Sequence, residues 1–288
     1  MGQPWLQWTV GDIRITRVVE IPAQPWTLDR FWPDLTPADL EPYRDWLAPY
    51  ITDAGDAVLL SIHTFVVEAD DLRVIVDTCV GNGKYYGRRL PEFNNLQTAF
   101  LEDLAAAGFP PESIDTVICT HLHMDHVGWN TVLRDERWVP AFPNARYVIS
   151  KTDVDYWGSY EPRPRVFDEA VQPLLDASLV DAVASDHRLS DSIALVPTPG
   201  HSPGHVGVRL HSQGREAFIT GDMVHSPVQL ARPEWSSTAD SDGAQAERSR
   251  RELLARATDT DTLVLGTHFP APTAGRVVSE GEGLQFVG

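Results

Sequence analysis

Cysteine is scarce in this chain: its 288 residues contain two, Cys79 and Cys119. Their spacing matches no paired metal-binding pattern. A chain of this length buries roughly 75% of its unfolded surface and needs no disulfide staples. Both cysteines read as reduced thiols of a cytoplasmic protein. Positive charge is also short, with 23 Lys+Arg against 41 Asp+Glu and a formal net charge of -18. That excess repels phosphate backbones, and no Lys/Arg cluster offsets it, so nucleic acid is disfavoured and not expected as a partner. Long apolar runs are missing. The most apolar stretch, Val58 to Val67, is broken by Ser61, His63 and Thr64 and is too short to span a bilayer. The first sixteen residues lack the basic start and apolar run of a secretory signal. After Met1-Gly2, Leu6 stands where a myristoylation signal requires Ser or Thr. No internal repeat is present. The expectation is a single domain over residues 1–288, free of membrane and nucleic acid.

Apolar residues make up 42% of the chain and charged ones 22%, an ordinary globular balance. Pro22 to Tyr50 is rich in Pro and Trp (Trp26, Trp32, Trp46). Its prolines are expected to break regular structure while its aromatics require burial. Residues 22–56 therefore read as a packed arm or subunit contact, compatible with a homodimer, or as a lid. Strands are expected at Ile13–Val19, Val58–Val67 and Arg73–Asp77, the last two joined as a hairpin at Ala69-Asp70-Asp71. Further strands are expected at Ile114–Cys119, Tyr147–Ser150, Ile193–Val196, Val206–Leu210, Ala217–Thr220 and Thr262–Leu265. Helices fit Leu96–Ala107, stopped by Gly108, and Ala244–Ala257. Strands interspersed with helices imply a mixed α and β domain with sheets inside.

Ten histidines carry the functional signal. His63, His187, His211 and His225 stand outside or beside the main pattern. Thr120-His121-Leu122-His123-Met124-Asp125-His126 follows directly on a strand. His121 and His123, two apart in extended chain, point to one side. Asp125 and His126, after a turn, face a second point. Burying three imidazoles and a carboxylate without a metal would leave several polar groups unmet. Three later segments also sit at strand ends: Pro199-Gly200-His201-Ser202-Pro203-Gly204-His205, Gly221-Asp222, and Gly266-Thr267-His268.

In order and spacing, from about Asp77 to His268, this pattern resembles the metallo-β-lactamase superfamily of dinuclear metallohydrolases. The resemblance implies an α+β fold: an αββα sandwich of two central mixed β-sheets flanked by helices, with the site at one sheet edge. It implies that His121, His123 and His201 hold one metal, that Asp125, His126 and His268 hold a second, and that Asp222 bridges them. His205 would lie behind the ligands or hold the bend. True β-lactamases of the common zinc class carry Cys in place of Asp222, and diiron flavoproteins carry Glu in place of His123. Gly221-Asp222-Met223-Val224-His225-Ser226-Pro227-Val228-Gln229, Asp240-Ser241-Asp242 and His268-Phe269-Pro270 resemble the methyl parathion hydrolase-like branch. Lactonases of a neighbouring branch place Tyr where this chain has His225.

The expected cofactor is two divalent ions, zinc by ligand type, with manganese, iron or cobalt as alternatives. The expected reaction is attack of a metal-bridged hydroxide on an ester or lactone. Asp125 would act as proton acceptor, and His225 as hydrogen-bond donor or orienter of Asp222. Phosphotriester or thioester hydrolysis, or a mononuclear iron dioxygenase reaction, are the alternatives. Candidate walls for a small apolar or aromatic substrate are Trp26, Phe31, Trp32, Trp129, Trp157 and Phe269, with Trp129 and Phe269 favoured by adjacency to ligand loops. Tyr85 and Tyr86 are open between surface and pocket, and Lys84 is expected on the solvated surface.

Overall fold

The structure is a computed structural model that describes residues 5–281 and 283–288. The Met1-Gly2 opening and the outermost part of the expected 1–288 domain lie outside the described residues. Two mixed sheets form the centre. The first runs β1 (Gln7–Val10), β2 (Ile13–Thr27), β3 (Ala57–Ala69), β4 (Leu72–Val76), β5 (Thr116–Cys119), β8 (Arg146–Ser150), β9 (Val180–Val183). Its β1 to β4 half is antiparallel and its β4 to β9 half parallel. The second sheet comprises β10 (Ile193–Pro197), β11 (Val206–Ser212), β12 (Arg215–Ile219), β13 (Leu263–Leu265), β14 (Ala274–Glu280) and β15 (Gly283–Val287). Only its β12–β13 pair is parallel. A small hairpin, β6 (Thr131–Arg134) and β7 (Arg137–Pro140), stands apart.

Side-chain alternation builds three apolar layers. In β5, Ile118 faces the inter-sheet core with Phe65, Val76, Val208 and Ile219, whereas Val117 and Cys119 face the opposite way. That outer face is covered by Phe100 and Leu104 of the helix Phe100–Ala106 and by Phe167, Ala170 and Leu174. Outside the second sheet, Phe218, Val264 and Phe286 pack against Leu253, Leu254 and Ala257 of the helix Gly243–Ala257 and against the segment after β2. Buried on both faces, the central strands need continuous apolar runs, which is how β5 reads. The layers are the expected αββα sandwich.

The β3–β4 hairpin turns at Asp70 and Asp71, with φ of 52° and 62°. Two consecutive positive φ values define a two-residue turn matched to strand twist. The helix after residue 99 ends as expected, with Gly108 at φ 98°. Pro22 and Pro25 do not break regular structure, whereas Pro33, Pro37, Pro42 and Pro49 fall among helical turns of three or four residues. β2 continues through Pro22 and Pro25 to Thr27, with register irregularities against β3 between Val19 and Gln24. β1 pairs only with the first part of β2, so the prolines fall where one edge is free and no N–H is required. Beyond Thr27, short helical turns fold Leu28, Phe31, Trp32, Leu40 and Tyr50 onto the second sheet. Among the described residues no helix is long and apolar enough to cross a membrane.

Candidate metal centre and its cavity

Strand C-termini at one edge of the sandwich deliver the candidate ligands. β5 leads into His121 and His123, and a short helix, Met124–Val127, then carries Asp125 and His126. The β10–β11 connection carries His201, the turn after β12 carries Asp222, and the turn after β13 carries His268. Two glycines let these turns pack closely. At Gly200 (φ 133°) a Cβ would lie 2.2 Å from Ala246 N, and at Gly221 (φ 53°) it would lie 2.6 Å from His205 Nε2.

All seven expected metal residues meet. Donor atoms of His121, His123, His201 and Asp222 lie within 4.8 Å of one another, and those of Asp125, His126 and His268 form a second such group. Asp222 stands between them. Its Oδ2 is 3.3 Å from His201 Nε2 and 3.8 Å from His121 Nε2. Its Oδ1 is 3.1 Å from His126 Nε2 and 3.0 Å from His268 Nε2. Asp125 lies 3.7 Å from His126 and 3.6 Å from His268.

The ring nitrogens that face away from this point are occupied. His126 Nδ1 donates to Asp77 Oδ2 at 2.9 Å, and His268 Nδ1 donates to Ser61 O at 2.9 Å. Thr120 Oγ1 donates to Asp77 Oδ2 and accepts from His121 Nδ1 at 3.2 Å. His201 Nδ1 donates to Asp240 Oδ1 at 3.0 Å. Those four histidines therefore present Nε2 inward, while His123 presents Nδ1, 2.8 Å from His201 Nε2. His205 makes no such approach. It donates to Thr198 Oγ1 and accepts from the Asp222 backbone N–H at 2.9 Å, fixing the turn behind the carboxylate.

Burial holds His121 and His123 well below the ordinary imidazole pKa, which keeps their lone pairs free. Burial opposes charge on His126 and His268 too, but the Asp222 carboxylate and its acidic neighbours outweigh it and raise both. Burial also works against the Asp222 carboxylate, yet the surrounding imidazoles pull its pKa well below the usual range. His121 Nε2, His126 Nε2 and Asp222 Oδ1 are buried with no hydrogen-bond partner among the described residues. Unpaired buried polar atoms converging on one point carry a cost that a bound cation removes. The donor set of imidazole nitrogen and carboxylate oxygen fits a divalent ion such as zinc.

A cavity of about 740 Å³ opens above these residues, with His123, Asp125, His201, Asp222, His225 and His268 at its floor. Trp26, Phe31, Tyr86, Trp157, Val166 and Phe167 supply its apolar walls, and Tyr85, 41% exposed, sits in the lining as well. Three expected wall residues pack elsewhere. Trp129 is buried against Phe100, with its indole N–H donating to Glu20. Phe269 packs on Tyr50 and Phe286, and Trp32 on Trp235. Adjacency in sequence to a ligand loop misled for Trp129 and Phe269, because each chain turns back into the core immediately after its ligand. Lys84, expected on the surface, is fully buried, with Nζ 3.6 Å from the Trp138 ring centre and bonded to Thr131. His225 lies at the floor with Nε2 3.3 Å from Asp222 Oδ2 and its ring edge-on to Phe31.

The sequence profile of the metallo-beta-lactamase superfamily matches residues 57–268. The chain belongs to the metallo-beta-lactamase superfamily. Within it, the chain is 24% identical over 169 residues to an N-acyl homoserine lactonase of Bacillus cereus, covering 55% of this chain and 62% of that one. It is 27% identical over 187 residues to the N-acyl homoserine lactonase AttM of Agrobacterium fabrum, covering 59% of this chain and 64% of that protein. The chain thus spans less than two thirds of the length of these relatives. The fold is shared with the hydrolase AbOPH of the beta lactamase superfamily (TM-score 0.81, 23% identity, 100% of this chain and 98% of that one). It is also shared with AidC, a dizinc quorum-quenching lactonase solved with the product N-hexnoyl-L-homoserine (TM-score 0.78, 20% identity, 98% and 96% covered).

Sequence reading did not single out Asp77 or Asp240 as orienters of ligand histidines, nor Val166 and Phe167 as walls. Asp240 had a signal, since it opens the Asp240-Ser241-Asp242 motif. Phe167 had none, because its helix is distant in sequence from every ligand.

Proposed function

We propose that the chain is a metal-dependent hydrolase cleaving an ester or lactone of a small, largely apolar molecule. The observation that carries this reading is the position of Asp222, one oxygen toward each histidine group, at the floor of an aromatic cavity. His121, His123, His201 and Asp222 would hold one cation, and Asp125, His126, His268 and Asp222 the other, with zinc favoured by ligand type. Two such ions, when bound, supply a hydroxide nucleophile at neutral pH and polarise the scissile carbonyl.

The chain's own residues do the rest. Asp125 is only half-buried at the cavity floor, where it would accept the proton released as the hydroxide adds to the carbonyl and return it to the departing oxygen. His225, which burial keeps mainly neutral, stands beside Asp222 facing the cavity and donates a hydrogen bond to the leaving oxygen. Trp26, Phe31 and Phe167 exclude water and seat the acyl or aryl portion. Residues 22–56 supply part of this wall, so the aromatic segment works as a specificity-setting arm of a single domain. The lactonase names of the relatives support this substrate class. The same largely apolar walls also suit an aryl phosphotriester, the second reading.

The test pairs metal stoichiometry with a panel of aryl esters, acyl lactones, thioesters and phosphotriesters. Turnover of an ester or lactone by protein loaded with two equivalents of metal is the expected result. A fully loaded protein that hydrolyses no member of the panel overturns the proposal.

A further inference from the structure

The helix Gly243–Ala257 carries a buried arginine that the hydrolytic chemistry does not use. Arg250 is 0% exposed. Its Nε donates to Pro233 O at 2.6 Å, its Nη2 to Ser236 Oγ at 2.9 Å, and its Nη1 to Met223 O at 3.1 Å, one residue beyond Asp222. The same Nη1 lies 3.7 Å from Asp240 Oδ2. The side chain of Asp240 is itself fully buried. Its Oδ2 accepts from Ser237 N at 3.0 Å, and its Oδ1 accepts from His201 Nδ1. The neighbouring residues stitch the two loops together: Ser241 N and Oγ both donate to His201 O, and Asp242 N donates to Gly200 O.

Resting on the hydrolase reading, we infer that Asp240, anchored by Arg250, is the positioning residue for His201 and controls occupancy of one of the two metal positions selectively. A buried carboxylate costs free energy unless it is paired and hydrogen-bonded. Here one oxygen is held by a backbone N–H beside a guanidinium, which leaves the other free to grip the imidazole. That grip fixes the His201 tautomer, aims Nε2 inward and makes it a stronger ligand. Asp240 lies near His201 and His225 as a third group of close donors. Both of its oxygens are already engaged, so it orients and does not ligate. Arg250 also ties this loop to the Asp222 turn, which sets the separation between His201 and the shared carboxylate. The segment reaches the substrate side as well. Thr238 and Ala239 line the cavity, and Thr238 N donates to Phe31 O. The arm wall, the orienting carboxylate and the metal ligand are thus consecutive links of one chain of contacts.

The experiment measures zinc affinity at each equivalent by chelator competition, and the absorption of the Co²⁺-substituted protein, for wild type, Asp240→Ala, Asp240→Asn and Leu253→Ala. In Asp240→Ala one equivalent should weaken by roughly 10–100-fold while the other keeps its affinity. Asp240→Asn retains one acceptor for the imidazole but sets its amide NH2 against the Ser237 N–H, so it should recover part of the affinity and shift the bands of one Co²⁺ ion. Leu253→Ala loosens the same helix without touching the pair, and should lower the melting temperature with both metal affinities intact. Wild-type affinity at both equivalents in folded Asp240→Ala, or equal weakening of both, overturns the inference. If Asp240→Ala does not fold, a Co²⁺ spectrum of Asp240→Asn identical to wild type overturns it. Wild-type protein that takes up no zinc or cobalt sinks the hydrolase reading and this inference together.

Discussion

Asp77 serves two histidines of different groups: it accepts from His126 Nδ1 directly at 2.9 Å, and it reaches His121 through the Thr120 hydroxyl. It also accepts from Thr120 N at 2.8 Å, while holding a φ of 61°. Asp77→Ala should therefore weaken both metal equivalents, each by roughly 10–100-fold, in contrast to the selective loss at Asp240. Chelator competition on the two variants side by side measures the difference.

Asp222→Ala removes the one carboxylate that faces both histidine groups. Turnover should fall at least ~10³-fold, equivalent to about 4 kcal/mol of transition-state stabilisation, and metal content should drop below two equivalents. Steady-state rates combined with elemental analysis check both halves of this expectation.

His225→Ala separates the two roles of that residue. Its Nδ1 is buried and without a hydrogen-bond partner among the described residues, and its backbone N–H is held by Gln229. As a donor to the leaving oxygen, its loss should lower kcat by roughly 10²-fold or more with metal content unchanged, and least for substrates with good leaving groups. Parallel loss of metal and activity would instead make His225 an orienter of Asp222.

Phe31 packs edge-on against His225 at 5.0 Å between ring centres and lines the cavity. Phe31→Ala should raise KM for long acyl or aryl substrates about tenfold, the equivalent of about two buried methylenes, and leave short-chain substrates near wild type. A chain-length series read as KM against kcat tests this.

Lys84 gives a pH-dependent stability term away from the metal residues. Burial lowers its pKa to about 7, although the nearby Glu169 and Glu20 carboxylates pull it upward. In the unfolded chain the ordinary lysine value is about 10.4. Between these values the unfolded state binds more protons than the folded one, so this group makes stability rise with pH from about 7 to about 10. Below pH 7 the folded state carries the buried charge and its full penalty. Lys84→Met should stabilise the protein at pH 6 by on the order of 1 kcal/mol, net of the lost cation–π contact with Trp138, and the gain should vanish by pH 10. Denaturant midpoints of both proteins across that range measure it.

The ligands were legible in sequence because the chemistry is local. Imidazoles and carboxylates placed where an apolar run ends have few other uses, and the strand ends at Cys119, Ile219 and Leu265 are visible as short apolar runs. The sandwich was legible for the same reason, since β5, β8, β10 and β12 are buried on both faces or alternate cleanly. Strands β1 and β9, the hairpin β6–β7 and strands β14 and β15 carry no clear sequence signal. They are short or half-exposed, and their pairing depends on distant partners. β2 runs well past Val19 because prolines, breakers in most settings, are tolerated where one sheet edge is free. The walls were least legible. Tyr86, Val166 and Phe167 reach the cavity only through the tertiary fold, and nothing in their own neighbourhoods distinguishes them from core residues such as Phe142.

Beside Leu122 and Met124 of the ligand segment, the cavity draws apolar side chains from segments outside the sheet edge that carries the ligands. Trp26 and Phe31 come from the end of β2 and the turn after it, and Phe167 from a peripheral helix. Reshaping positions 26, 86 and 167 therefore offers a route to altered selectivity in the laboratory that leaves the reactive floor standing.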